Sequence, residues 1–254
     1  MPDLKHRIDD LANRVANRLI WRFARRPKRV GTATPLVSFT FDDVPDTALT
    51  AGAAILEKYG VFGTFYIAGG MAGRIEPDRT LISADGCREL AARGHEIGCH
   101  TFSHDMVRSL PGGALARDLD RNETYLRAFT DADAPLRNFA FPYNAAWPLA
   151  RGELRRRYRS CRGGGEAINR GPADPWMLKG VAIEQPEEKA RALTHVIDDV
   201  AANPGWLIFY GHDVAERPTP YGCTPETFER LVRHAVESGC EVLTVSRALD
   251  RLGW

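Results

Sequence analysis

The residues able to do chemistry fall into four short stretches: Thr40-Phe41-Asp42-Asp43, His100-Thr101-Phe102-Ser103-His104, Phe141-Pro142-Tyr143 and Gly211-His212-Asp213. Two histidines four residues apart reach a single ion when they share one helical turn, because positions i and i+4 lie on one face. One added carboxylate makes a two-His, one-carboxylate site with a position left for water. Zinc accepts that ligand set in hydrolases and lowers the pKa of its water toward ~7. Cobalt, iron or manganese would also fit, since imidazole and carboxylate ligands discriminate weakly among such metals. Taken singly, each stretch has an ordinary reading. Asp-Asp in a loop is usually a solvated turn, and paired histidines are common on surfaces. Joint placement at successive strand ends is what raises them to a candidate site.

The intervening pattern supplies those strand ends. Leu36–Phe41, Val61–Ala68, His95–His100, Asn138–Phe141, Tyr158–Arg162, Leu178–Ile183, Trp206–Tyr210 and Glu241–Val245 read as strands. Helical patterns separate them over Thr47–Tyr59, Ser83–Arg93, Gly113–Thr130, Pro148–Arg156, Glu187–Ala202 and Pro225–Ser238, several closed by glycine. Strands and helices alternating at this spacing predict parallel βα units. Seven or eight such units suit a closed or nearly closed α/β barrel, with an open doubly wound sheet as the alternative. Both architectures gather function at the C-terminal ends of the strands.

Composition excludes other classes. The 254 residues are 44% hydrophobic and 26% charged, enough apolar content for a core. The net charge of +1 argues against a globally basic nucleic-acid binder. Five cysteines (Cys87, Cys99, Cys161, Cys223 and Cys240), with no CxxC, suit a reducing compartment rather than a disulfide framework. The early apolar run Leu19-Ile20-Trp21 is cut by Arg18 and Arg22, so no signal peptide is expected and the cytoplasm is the default location.

Charge is nevertheless uneven. Residues 1–30 hold nine Lys or Arg against three Asp, whereas the remainder carries a net negative charge. Leu4, Ile8, Leu11, Val15 and Leu19 recur at helical steps, widened by Ile20, Trp21 and Phe23. This predicts a basic amphipathic extension over 1–30, ahead of a catalytic domain over 31–254. Its apolar face could pack on its own domain, on a second subunit of a homodimer, or, through residues 1–26, on the anionic inner face of a membrane. No aromatic stacking platform accompanies the charge, so nucleic acid is not expected as a partner.

The first two chemical stretches, with the approach Gly94-His95-Glu96-Ile97-Gly98-Cys99 leading into His100, closely resemble the first and second motifs of the polysaccharide deacetylases. These are the NodB-homology carbohydrate esterases of family 4. The resemblance spans residues 36–250. It implies a distorted (β/α) barrel of about seven strands, a zinc-type ion, and removal of N-acetyl groups from an amino sugar. Carried over by position, Asp43, His100 and His104 would bind the metal, and Asp42 would be the general base. Pro142 and Tyr143 match the end of the third motif, the Tyr143 N–H holding the oxyanion. Asp174 and Trp176 occupy the region of the fourth, on the substrate side. His212 matches the fifth and would be the general acid, its tautomer held by Asp213 or Asp174. The finer pattern is similar to cytoplasmic deacetylases of exopolysaccharide or holdfast synthesis, which suggests a lipid-linked substrate.

One position departs from that pattern. The family usually has arginine two residues before the proline of its third motif, and here Ala140 stands there. Arg162, in Cys161-Arg162-Gly163-Gly164 at another strand end, is the candidate substitute. Competing readings are a deformylase or cyclic-amide hydrolase of the same fold, and a catalytically silent carbohydrate-binding relative.

Overall fold

A computed structural model describes residues 4–22, 26–130, 137–184 and 187–254, without the side chains of 4–11, 14 and 187–191. In chain order the elements are α1 (Leu4–Arg22), β1 (Lys28–Val30), β2 (Leu36–Asp42), α2 (Ala54–Lys58), β3 (Thr64–Ile67), α3 (Ala84–Ala92), β4 (Glu96–Cys99), α4 (Ala114–Leu126) and β5 (Asn138–Ala140). There follow α5 (Arg151–Arg157), β6 (Ser160–Gly163), β7 (Gly171–Ala173), β8 (Leu178–Lys179), β9 (Val181–Ala182), α6 (Glu187–Ala202), β10 (Trp206–Gly211), α7 (Pro225–Glu237), β11 (Glu241–Val242) and α8 (Val245–Arg251).

The main sheet is parallel, in the order β8-β6-β5-β4-β3-β2-β10-β9. Its two outer strands are consecutive in sequence. β8 pairs with β6, β9 pairs with β10, and only Gly180 separates them. One split strand therefore bridges the two edges and nearly closes a barrel. A Cβ at Gly180 would lie 2.8 Å from both Arg162 Cδ and Tyr210 Cδ1, so only glycine lets those side chains fold over the split.

Alternation along each strand sorts the core. On β2, Val37, Phe39 and Phe41 join the cluster that packs under the helices, whereas Leu36 joins the one that plugs the barrel's lower end. On β10 the same alternation sends Leu207 and Phe209 one way and Trp206 and Ile208 the other. Phe39 stacks on Phe209 and Phe41 on Phe65, and Phe228 of α7 closes over Phe39 and Phe41. All seven residues of β2 are buried, as expected for a strand covered on both faces.

The lower, N-terminal end of the strands is sealed by polar side chains. Glu96 accepts from Thr64 Oγ1 (3.0 Å), Ser246 N (2.9 Å), Ser246 Oγ (2.7 Å) and Asn138 Nδ2. Ser160 Oγ donates to Asn138 Oδ1 at 2.7 Å.

Three expectations change. The strand expected over Glu241–Val245 stops at Val242, because Thr244 caps α8 by accepting from Arg247 N. The strand expected over Leu178–Ile183 is broken at Gly180. The predicted face of α1 docks only in part: Ile20 lies in the core and Trp21 packs against it. Val15 and Leu19 are about half exposed, while Asn13, Asn17 and Ile20 are buried. The side chains of Leu4, Ile8 and Leu11, and all of residues 1–3 and 23–25, lie outside the described residues. β1 pairs antiparallel with β7, which ties the end of this extension to the barrel.

Candidate active site

The strand ends β2, β4, β5 and β10 meet around a cavity of about 610 Å³. Asp42, Asp43, His100, His104, Tyr143 and His212 all line it. Backbone strain concentrates here. Of seven described non-glycine residues with positive φ, six are Asp43, Val44, Thr101, His104, Tyr143 and Asn144. Such conformations cost of order 1–3 kcal/mol each and persist where the surroundings enforce them.

The donor atoms of Asp43, His100 and His104 lie within 4.8 Å of one another. Asp43 Oδ1 is 2.9 Å from His104 Nε2 and 3.6 Å from His100 Nε2. It is nevertheless buried without a hydrogen-bond partner of good geometry. His100 Nδ1 donates to the Ala140 carbonyl at 2.9 Å, which leaves the Nε2 lone pair for a cation. A buried orphan oxygen beside two imidazole nitrogens fits a divalent metal of the zinc type. Burial works against the charge on Asp43, but the imidazoles of His104, His100 and His212 bring its pKa well below the ordinary carboxylate range. Burial also pushes His100 down to about 4, so its ring is neutral at pH 7, as a ligand must be.

The route by which the two histidines meet differs from the expectation. Residues 100–106 form a loop, not a helical turn. Thr101 and His104 are left-handed, and His104 N donates to Thr101 Oγ1 at 3.0 Å. Asp118 of α4 pins the loop by accepting from Phe102 N (2.7 Å) and Ser103 N (3.2 Å). Loop closure, rather than helical pitch, brings the rings to 5.1 Å between centroids.

Asp42, the neighbour of Asp43, has a different environment. Arg162 Nη2 contacts both of its oxygens, 2.5 Å from Oδ2. Arg162 is 1% exposed and lies over the rings of Tyr210 (4.6 Å) and Tyr66 (5.6 Å). Its position has a simple origin. β5 and β6 pair in a register that sets Ala140 beside Arg162, so the guanidinium comes from the strand next to the one where the family pattern would have it. Arg162 Nη1 donates to Asn144 Oδ1 at 2.7 Å.

His212 faces the triad across the cavity, its Nε2 3.9 Å from Asp43 Oδ2. Its Nδ1 lies 3.3 Å from the Tyr221 carbonyl, the partner that fixes the tautomer. Neither expected aspartate serves there. Asp213 accepts from Thr219 N (2.7 Å) and Thr219 Oγ1 (2.5 Å). Asp174 pairs with Arg151 and caps Trp176 N. Trp176 donates its indole N–H to the Tyr158 carbonyl, 2.8 Å away, and carries Arg155 on its ring. Asp174 and Trp176 are not among the residues lining the cavity. Pro142 is buried beneath the rim, and Tyr143 is exposed above it with its ring 4.8 Å from that of His104.

Several cavity residues carry no motif in the sequence. Arg79 donates to Asp43 Oδ2 (3.1 Å) and Glu76 (2.7 Å), and Arg74, Glu184, Tyr210 and Tyr221 complete the wall. Tyr210 adjoins Gly211-His212-Asp213 at the end of β10, but nothing in the spacing of the others marks them.

A family model described as polysaccharide deacetylase matches residues 29–156. A chitooligosaccharide deacetylase from Sinorhizobium fredii is 34% identical over 123 residues, 48% of this chain and 53% of that protein. The chain thus spans about half the length of that relative. Among solved structures, a family 4 acetyl xylan esterase from Clostridium thermocellum, in complex with a cobalt ion, aligns with a TM-score of 0.59 at 26% identity. The alignment covers 86% of this chain and 92% of that one. The chitin deacetylase from Colletotrichum lindemuthianum shares the fold, with a TM-score of 0.63 at 22% identity over 87% of this chain and 90% of that one.

Proposed function

The chain belongs to the polysaccharide deacetylase family, and we propose that it hydrolyses N-acetyl groups from amino-sugar chains of the GlcNAc type, using a metal held by Asp43, His100 and His104. The observation that carries this reading is the orphaned Asp43 Oδ1 facing two imidazole nitrogens beside the Asp42–Arg162 contact. Zinc is the metal favoured by the donor set. Bound there, it would supply Lewis acidity toward the acetamide and an acidified water.

The chain's own groups do the rest. Asp42 takes the proton of the attacking water. Arg162 holds and aims that carboxylate, which favours a working base over a silent site. The Tyr143 backbone N–H donates to the oxyanion. His212, oriented through Nδ1, gives its proton to the departing nitrogen. The C–N bond breaks, and acetate and a free amine leave. The amine is protonated at pH 7, so each turnover adds positive charge to the polymer.

A lipid-linked biosynthetic intermediate at the cytoplasmic face of a membrane, of the exopolysaccharide or holdfast type, is the substrate that suits α1. Its Val15, Arg18 and Leu19 point outward within a segment rich in basic residues. Co-sedimentation with anionic but not zwitterionic vesicles, lost in a Val15→Ser/Leu19→Ser variant, tests that contact.

Metal analysis coupled to acetate release from GlcNAc oligomers tests the activity, with N-formyl and cyclic-imide substrates alongside. Acetate release that follows metal content supports the proposal. Turnover of only the formyl or imide substrates would replace it.

A further inference from the structure

Asn17 is an odd residue for the docked side of α1. It is buried at 7% exposure, where a helix normally presents an apolar side chain. A buried amide is costly unless both of its ends are satisfied. Both are, and by one short segment. Nδ2 donates to the Asn144 carbonyl at 2.8 Å, and Oδ1 accepts from Ala146 N at 3.2 Å.

That segment carries Tyr143 and Asn144, consecutive non-glycine residues in the left-handed region, with φ of 57° and 53°. The Asn144 side chain in turn accepts from Arg162 Nη1 and donates to the Tyr210 hydroxyl at 3.1 Å. The other end of the Arg162 guanidinium holds Asp42. A contiguous polar chain therefore runs from the N-terminal helix, through the strained turn, to the carboxylate assigned as base.

Docking alone does not call for Asn17. Ile20 sits in the core, Trp21 Nε1 donates to the Met177 carbonyl at 3.0 Å, and Asn13 contacts Arg108. The helix is thus tied down on both sides of Asn17 without it.

We propose that Asn17 is a positioning residue for the hydrolysis. From α1 it holds the Tyr143–Asn144 turn in the conformation that supports Arg162 on Asp42 and fixes the Tyr143 backbone at the cavity. Its catalytic consequence rests on the hydrolase reading above, whereas its effect on the turn does not. Displacing an aligned group by about 1 Å costs up to ~10²-fold in rate.

The test compares wild-type, Asn17→Ala and Asn17→Asp proteins, with Ala12→Ser at an exposed position of α1 as control. Two readouts are taken: hydrogen exchange at the amides of 144–146, and steady-state acetate release at full zinc loading. In Asn17→Ala, exchange at 144–146 should rise about tenfold or more while β2 and β4 keep their protection. In the same variant kcat should fall about tenfold or more with KM and metal content little changed. Asn17→Asp keeps the acceptor for Ala146 N and loses the donor, so it should fall between, and it carries the test if the alanine variant does not fold. Ala12→Ser should match wild type. Unchanged exchange at 144–146 would overturn the proposal, as would a loss of kcat that merely tracks lost zinc or lost fold. If wild type releases no acetate, the hydrolase reading fails, while the exchange comparison still decides what Asn17 holds.

Discussion

β4 has a histidine at each end, in opposite circumstances. Below it, His95 accepts from Gly63 N (3.1 Å) and lies 3.0 Å from Glu57, and the adjoining Glu96 is saturated by Thr64, Asn138 and Ser246. Above it, His100 spends one nitrogen on the Ala140 carbonyl and turns the other toward Asp43, whose Oδ1 is orphaned. Arg162 Nε, at the same upper end, is also buried without a partner. Buried polar groups with every atom paired brace a fold; those with atoms left over await something else. The same residue types are therefore fully paired at one end of the barrel and left with unpaired atoms at the other.

Mutations at the two ends should separate these roles, most severely at the top. His104→Ala or Asp43→Ala should strip the protein of metal and bring acetate release to background, with the fold retained by circular dichroism. Normal metal content in both would remove the distinction between the ends. Asp42→Asn should keep its metal and lose roughly 10³-fold in kcat, read by single-turnover acetate release. Arg162→Met leaves the buried Asp42 carboxylate without its cation, so it should cost about 3–5 kcal/mol in urea unfolding as well as activity. Glu96→Ala at the lower end should cost about 1–3 kcal/mol, with kcat and zinc content unchanged. A loss of activity there beyond the loss of folded protein would mean that the lower end is not merely a brace.

The smallest effect concerns pH. Burial, opposed by Glu57, lowers the His95 pKa below its ordinary 6.5. The unfolded chain then binds the proton more readily than the folded one, so stability present above about pH 6.5 is lost as pH falls through the His95 window. The urea midpoint of wild type should drop over this range more steeply than that of His95→Gln.

Much of this was legible in the sequence. Alternating strands and helices, with glycine closing several helices, announced the barrel, and Asp42, Asp43, His100, His104 and His212 fell at its strand ends. The differences lie in long-range contacts, which short-range patterns do not specify. His100 and His104 have helical spacing but meet through a loop pinned by Asp118. Asp213 adjoins His212 yet turns to Thr219. Asp174 and Trp176, which the resemblance puts on the substrate side, are engaged by Arg151 and the Tyr158 carbonyl. Along α1, hydrophobic period rightly included Ile20 and Trp21 but also singled out Val15 and Leu19, which are half exposed, and missed Asn13 and Asn17 on the buried side.

By itself, the sequence determined the alternation of strands and helices and the residue types at the rim, because periodicity and strand ends are local properties of a chain. Only the tertiary structure decided which side chains face one another. β6 pairs with β5 and sets Arg162 beside Ala140; Gly180 leaves room for the guanidinium; a helix 127 residues from Asn144 reaches its carbonyl. The physical reason is that a charge or amide is stabilised by whatever lies within about 3 Å, and in a closed barrel those neighbours come from strands and helices far apart along the chain.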